Sequence, residues 1–213
     1  FEDVGRVGGN PQTFTAPGPP LDPAATGAVL QAEAKREVSA RRSIVGMNPP
    51  QHTKLRKQLT RHFSPRGVAH LEHAVRSLAR DCIAKALSVG RLDVIDDLAG
   101  QVSARVVCLT IGLPVEAGPQ PAAVVKRFSA REPGIEGMPP DGMAASGELR
   151  GYLLDAVRER RRRVLGDGDV LDAYLQVAID GRAYSDEELA SHLTTLVVGG
   201  TETLPKVFAG GVL

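Results

Sequence analysis

Apolar residues return every third or fourth position through stretch after stretch of this 213-residue sequence, and strand-like alternation is scarce. In "SPRGVAHLEHAVRSLARDCIAKAL" the residues Val68, Leu71, Val75, Leu78, Cys82 and Ala86 share one face of a single long helix, opened by Ser64 and Pro65. "NPPQHTKLRKQLTRHF" repeats the device, with Asn48 as N-cap, prolines at the first helical positions, and Leu55 and Leu59 on the buried side. "LDVIDDLAGQVSARVVCLTIGLP" carries Val102, Val106 and Leu109, then stops from Gly112 to Pro114. Phe1 to Val7 reads as a short amphipathic turn, and Pro119 to Arg131 as a shorter helix. "GELRGYLLDAVRERRRRVL" is a helix whose last turns hold Arg158 and Arg160 to Arg163, expected as a solvated basic face at a helix C-terminus. Residues 15 to 28 read as loop, and Arg131 to Gly147 as a flexible, lid-like connector between helices. The expected fold class is mainly α with little β structure, apart from a turn at "IDGRAYS".

Bulk properties narrow the function only by exclusion. A 42% hydrophobic chain of this length supports one sizeable core, and a net charge of +1 gives no compositional case for nucleic acid or an anionic membrane. A small-molecule partner is the default that remains. No run approaches the roughly 18 apolar residues of a membrane span. Cys82 and Cys108 form no disulfide framework and no paired metal-ligand spacing, which points to a reducing, cytoplasmic compartment and to buried, inert thiols. The first residue is Phe1, and an apolar run is still in progress at Leu213, so both ends are expected to be truncations of a longer protein.

The difficult stretch is "VVGGTETLPK", residues 197 to 206. Upstream, Ser185 and Glu188 form a capping box, Asp186 and Glu187 load the first turn with negative charge, and Leu189, Leu193, Leu196 and Val197 follow. Two interior glycines cost about 1 kcal/mol each against alanine, and an interior proline about 3 kcal/mol. One reading therefore ends the helix here: Gly-Gly as C-cap, Thr-Glu-Thr as a polar turn, Pro205 as terminator. In the other the helix continues. Gly199 and Gly200 then leave a flat patch for a large planar group, Pro205 widens or kinks the next turn, and Glu202 and Thr203 set an acid and an alcohol where protons must move. A second pair, His52 and Arg56, lies four apart on one helix face and suits two carboxylates of one ligand. Lys54 and Lys57 beside it equally suit an ordinary solvated basic helix.

Taken in order, these stretches resemble a known family. "GMNPPQHTKLRKQLTRHFSPRGVAHLE" and "SDEELASHLTTLVVGGTET" look like soluble bacterial haem-thiolate monooxygenases, the cytochromes P450. "RLDVIDDLAGQVSARVVCLTIGLP" resembles that family's segment ending in Gly-x-Pro, and "FEDVGRVGGNPQTF" its segment before the substrate loop. The likeness is collinear over nearly the whole chain, residues 1 to 213, taken as a single partial domain.

The resemblance implies a mostly helical fold with haem (heme) buried against the long helix that starts at Ser185. It implies that His52 and Arg56 contact the haem propionates. Gly199, Gly200, Thr201, Glu202 and Thr203 match the family's small-Gly-x-acid-Thr motif, implying a groove over the haem face, Thr203 at the dioxygen site and Glu202 in proton delivery. The implied reaction inserts one oxygen atom of O2 into a hydrophobic small molecule, with electrons from a redox partner such as ferredoxin and its reductase. Substrate contacts would come from a loop around residues 15 to 45, from the connector around 128 to 147, and from Val197 and Val198. The family's axial cysteine and its Glu-x-x-Arg motif have no counterpart in these 213 residues, and Cys82 and Cys108 match ordinary helices. The chain by itself is therefore expected to be inactive, with no metal ligand of its own. The alternatives are a non-catalytic helical ligand-binding or regulatory module and an unrelated helical bundle.

Overall fold

The computed structural model describes residues 2–10, 13–14, 43–131, 133–134, 139–163, 166 and 168–212. The expected loop at 15 to 28 and most of the substrate loop at 15 to 45 lie outside them. Nine α-helices are described: α1 (Glu2–Gly8), α2 (Gln51–Phe63), α3 (Pro65–Val68), α4 (Glu72–Val89), α5 (Gly100–Ile111), α6 (Pro119–Ser129), α7 (Pro140–Arg161), α8 (Val170–Gln176) and α9 (Asp186–Val212). Short 3-10 turns and one π-helical turn, Val94–Ala99, join them, and the described β structure is one two-stranded hairpin. The mainly α expectation holds.

α9 is the axis of the molecule, with α5, α6, α7 and the π-helical turn packed along it. Leu189, Ala190, Leu193 and Val197 put its apolar stripe into the core, each at most 1% exposed. Its start is the predicted capping box: Ser185 N–H donates to Glu188 Oε2 at 2.8 Å, and Glu188 N–H to Ser185 Oγ at 3.2 Å. Before it, β1 (Ala178–Ile179) and β2 (Arg182–Ala183) close around Asp180 and Gly181, both at positive φ, as an Asp-Gly hairpin turn requires.

Several local readings change once neighbours are present. α2 begins at Gln51 with Pro50 in the N-cap position, so the two prolines precede the helix, and the Asn48 carbonyl accepts from His52 N–H. The single long helix expected after Ser64 is divided into α3, a 3-10 turn over Ala69–Leu71, and α4. Ser64 does cap α3, accepting from Gly67 N–H at 3.0 Å. None of α4 is buried, and Cys82 within it is half-buried; Cys108 alone is in the core, where burial pushes its thiol up. In α5 the buried residues are Ser103, Ala104, Cys108 and Ile111, not the expected Val102, Val106 and Leu109, because the packed neighbours decide which face is covered.

The expected connector from Arg131 to Gly147 is helix from Pro140 onward. Gly142 and Ala145 are small enough to bury against α6, and Arg127 of α6 reaches Asp141 and Glu148, both at 2.7 Å. The run Arg160 to Arg163 is not a uniformly solvated face either. Arg160 is 18% exposed and bonds Asp169 and Asp172, each at 2.7 Å, while Arg161 bonds Asp186 at 2.7 Å and Arg163 bonds Glu159 at 2.9 Å. The excess of arginine at this helix end ties α7 to α8 and to the first turn of α9.

Candidate functional site

α9 runs unbroken as α-helix through "GGTETLP", with Pro205 inside it. The loop reading fails, and no widened turn interrupts the helix at Pro205. Packing on α5, α6 and α7 holds in place a segment that local propensity disfavours. One turn before the proline, the Thr201 hydroxyl donates to the Val197 carbonyl at 2.7 Å.

The two glycines have different surroundings. A Cβ at Gly199 would meet nothing within 4 Å, whereas one at Gly200 would overlap Val107 Cγ2 of α5. Gly200 therefore lets α5 and α9 approach closely, and Gly199 is the open one. Both line an apolar trough of about 800 Å³ between α4, α5 and α9, with Leu71, Val75, Val107 and Leu196 among its walls. α2 reaches this trough through Phe63.

With successive residues about 100° apart around the axis, Thr203 falls on the same face as Thr195 and Gly199, and it is exposed there. Glu202 falls on the next face, where its carboxylate accepts from Lys206 Nζ at 2.6 Å. That hydrogen bond, chiefly, holds the Glu202 carboxyl below the ordinary range, with partial burial opposing it. The acid and the alcohol are thus sequence neighbours on adjacent faces of the helix.

His52 is half-buried and Arg56 exposed, one turn apart on α2, and neither forms an ion pair with a described residue. They and the α9 residues stand on separate elements; the described trough includes neither cation. Of the two valines expected near a substrate, Val197 is 1% exposed in the core and Val198 is half-buried. The cysteines stay away from the trough: Cys108 faces the core, and Cys82 lines a separate surface hollow with Asp81 and Lys85. Among the described residues no group of three metal-ligating side chains is present, and no helix is long and apolar enough to cross a membrane.

Three residues escaped sequence reasoning. Lys206 was legible in principle, since an (i, i+4) acid–lysine pair is a helix signal. Ser129 at the end of α6 gave no local signal. His192 is fully buried between Tyr174, stacked at 5.3 Å, and Tyr184, edge-on at 5.0 Å; its place between Leu189 and Leu196 marks the core side of α9.

No family model matches the chain. Over 170 residues it is 33% identical to cytochrome P450 123 of Mycobacterium tuberculosis (strain ATCC 25618 / H37Rv), covering 80% of this chain and 42% of that protein. Over 173 residues it is 33% identical to vitamin D(3) 25-hydroxylase of Pseudonocardia autotrophica, covering 80% of this chain and 41% of that one. The open cytochrome P450 EryK from S. erythraea superposes with a TM-score of 0.62 at 28% identity, over 75% of this chain and 40% of its own. A Mycobacterium marinum cytochrome P450 in complex with pseudoionone gives a TM-score of 0.68 at 24% identity, over 79% and 42%, a likeness of fold alone. The chain spans about two fifths of the length of the curated relatives it matches.

Proposed function

The chain belongs to the cytochrome P450 family, and from that premise we propose that it carries the propionate-anchoring and oxygen-handling segments of a haem-thiolate monooxygenase acting on a hydrophobic small molecule. The observation that carries this reading is the trough along α9: apolar walls, an open Gly199, and the acid–alcohol pair one turn further on. The apolar trough suits the ring of a large planar group, and His52 and Arg56, which lie on α2 outside it and form no ion pair with a described residue, would take its two carboxylates.

His52 and Arg56 would hold the propionates, Arg56 through its planar fork and His52 through a ring N–H. Gly199 leaves the backbone bare where the ring edge would lie, and Gly200 keeps α9 close to α5. When bound, the haem supplies reductive activation of dioxygen, driven by electrons from a ferredoxin-type donor. Thr203 offers a hydroxyl on the trough face, as donor or acceptor, and Glu202 takes protons from solvent on the neighbouring face and passes them toward it. Val198 would contribute an apolar contact to the substrate.

The thiolate is the missing part. Cys108 is buried with its thiol pushed up by desolvation, which disfavours the thiolate, and Cys82 opens into a different hollow. We therefore expect the 213 residues alone to take up haem weakly and to hydroxylate nothing.

Haem titration followed by absorbance tests this. Saturable uptake is expected, weakened about tenfold by His52→Ala and again by Arg56→Ala, each removing one charge-assisted bond. The reduced carbon monoxide complex should lack the red-shifted band of thiolate ligation. Uptake that ignores both substitutions would remove the anchoring roles, and absence of uptake would favour a non-catalytic helical module.

A further inference from the structure

On the face of α9 next to the trough lies a second hollow of about 720 Å³, bounded by α6 and the π-helical turn Val94–Ala99. Thr201, Glu202, Pro205 and Lys206 are the α9 residues that line it. Ser129, the last residue of α6, lines it too; its Oγ is buried and meets no hydrogen-bond partner among the described residues. Buried hydroxyls of that kind are few in native proteins, and each asks for a reason. Here the nearby group is the Glu202 carboxylate, which Lys206 first and Ser129 second help to keep charged.

We propose that Ser129 is a positioning residue for Glu202: its hydroxyl donates to the carboxylate across the α6-side hollow and keeps the acid turned there, so that Glu202 meets solvent protons through this hollow. Ser129 and the half-exposed Glu202 line the same hollow. The inference rests on the proton-delivery role proposed above for Glu202.

The charges around Glu202 leave Ser129 a separable contribution. On α9 the facing cation is Lys206. On α6, Lys126 is engaged by Asp96 of the π-helical turn at 3.0 Å, and Asp93 of the same segment accepts from Ile95 and Asp96 N–H, both at 2.8 Å. Arg131, just past α6, adds a smaller attraction. Ser129→Ala changes none of these charges, so its effect on Glu202 reads the hydroxyl alone.

The test is a carboxyl ¹³C NMR titration of Glu202 in the full chain, for the parent, Ser129→Ala, Ser129→Thr and Lys206→Met. Loss of the hydroxyl should raise the Glu202 midpoint by about half a pH unit, a roughly threefold change in its proton affinity, and Ser129→Thr should return it to the parent value. Lys206→Met should raise it too, proving that the resonance responds to a lost donor. An unmoved midpoint in folded Ser129→Ala, with Lys206→Met shifted, overturns the proposal. So does an unrestored Ser129→Thr, the result of a merely structural serine. If Ser129→Ala fails to fold, Ser129→Cys, a weak donor of similar size, carries the same comparison. Haem titration of the same samples separates the two readings. A shifted midpoint without haem uptake keeps the positioning role and sinks the proposed function; uptake with an unmoved midpoint does the reverse.

Discussion

Arg160→Met is expected to cost the fold about 2–4 kcal/mol, a fall in melting temperature of roughly 5–15 °C for a chain of this size. The guanidinium donates to Asp169 Oδ2, Asp172 Oδ1 and the Gly112 carbonyl, joining the end of α7 to the start of α8 and to the turn that ends α5. Its partners are 19% and 8% exposed, so methionine would leave two carboxylates shielded from water and without their cation. The full cost of breaking a buried pair, about 3–5 kcal/mol, is trimmed here by the remaining exposure. The surrounding geometry allows little repair. Asp169 also caps α8 by accepting from Asp172 N–H at 2.9 Å, and a Cβ at Gly112, which has φ 92°, would overlap its carboxylate. Arg163→Met is the control: its (i, i+4) partner Glu159 is 54% exposed, and the change should leave the melting temperature close to the parent's. Thermal unfolding of the two variants side by side decides the matter. Equal melting temperatures would show that the Arg160 cluster adds nothing beyond a surface pair.

The second large effect separates the two glycines of the motif. Gly200→Val should destabilise the chain by about 2–3 kcal/mol, since a side chain there drives into Val107 and forces α5 away from α9. Gly199→Val meets nothing within 4 Å at its Cβ, and valine is slightly the better helix former, so folding should be unchanged or marginally improved. Haem uptake should rank them the other way. Gly199→Val fills the bare patch and is expected to weaken haem binding at least about tenfold, a loss of about 1.4 kcal/mol. Melting temperature and haem titration on both variants check the pair. If Gly199→Val binds haem as the parent does, the ring does not lie against Gly199.

Much of the fold was legible because its signals are local. Ser185 and Glu188 satisfy each other's backbone within one turn, Ser64 caps the helix that Pro65 opens, and Asp180-Gly181 can adopt the positive φ values of a tight hairpin. None of these depends on a distant residue. The errors came where a distant partner decides. Residues 140 to 147 carry glycine, proline and no apolar period, yet they are helix because Gly142 and Ala145 fit against α6 and Arg127 grips Asp141 and Glu148. Arg160 reads as one more charge in a basic run, and only the fold brings Asp169 and Asp172 beneath it.

The candidate site divides along the same line. Spacing alone put His52 and Arg56 on one face of a helix and made Glu202 and Thr203 neighbours, and the ordered motifs alone pointed to the family. Spacing could not choose between loop and helix for "GGTETLP", because the propensity cost of two glycines and a proline is of the same order as the packing that offsets it. Only the tertiary structure, by laying α5 against Gly200, keeps that segment helical, leaves Gly199 bare on the trough face, and places Ser129 of α6 beside Glu202.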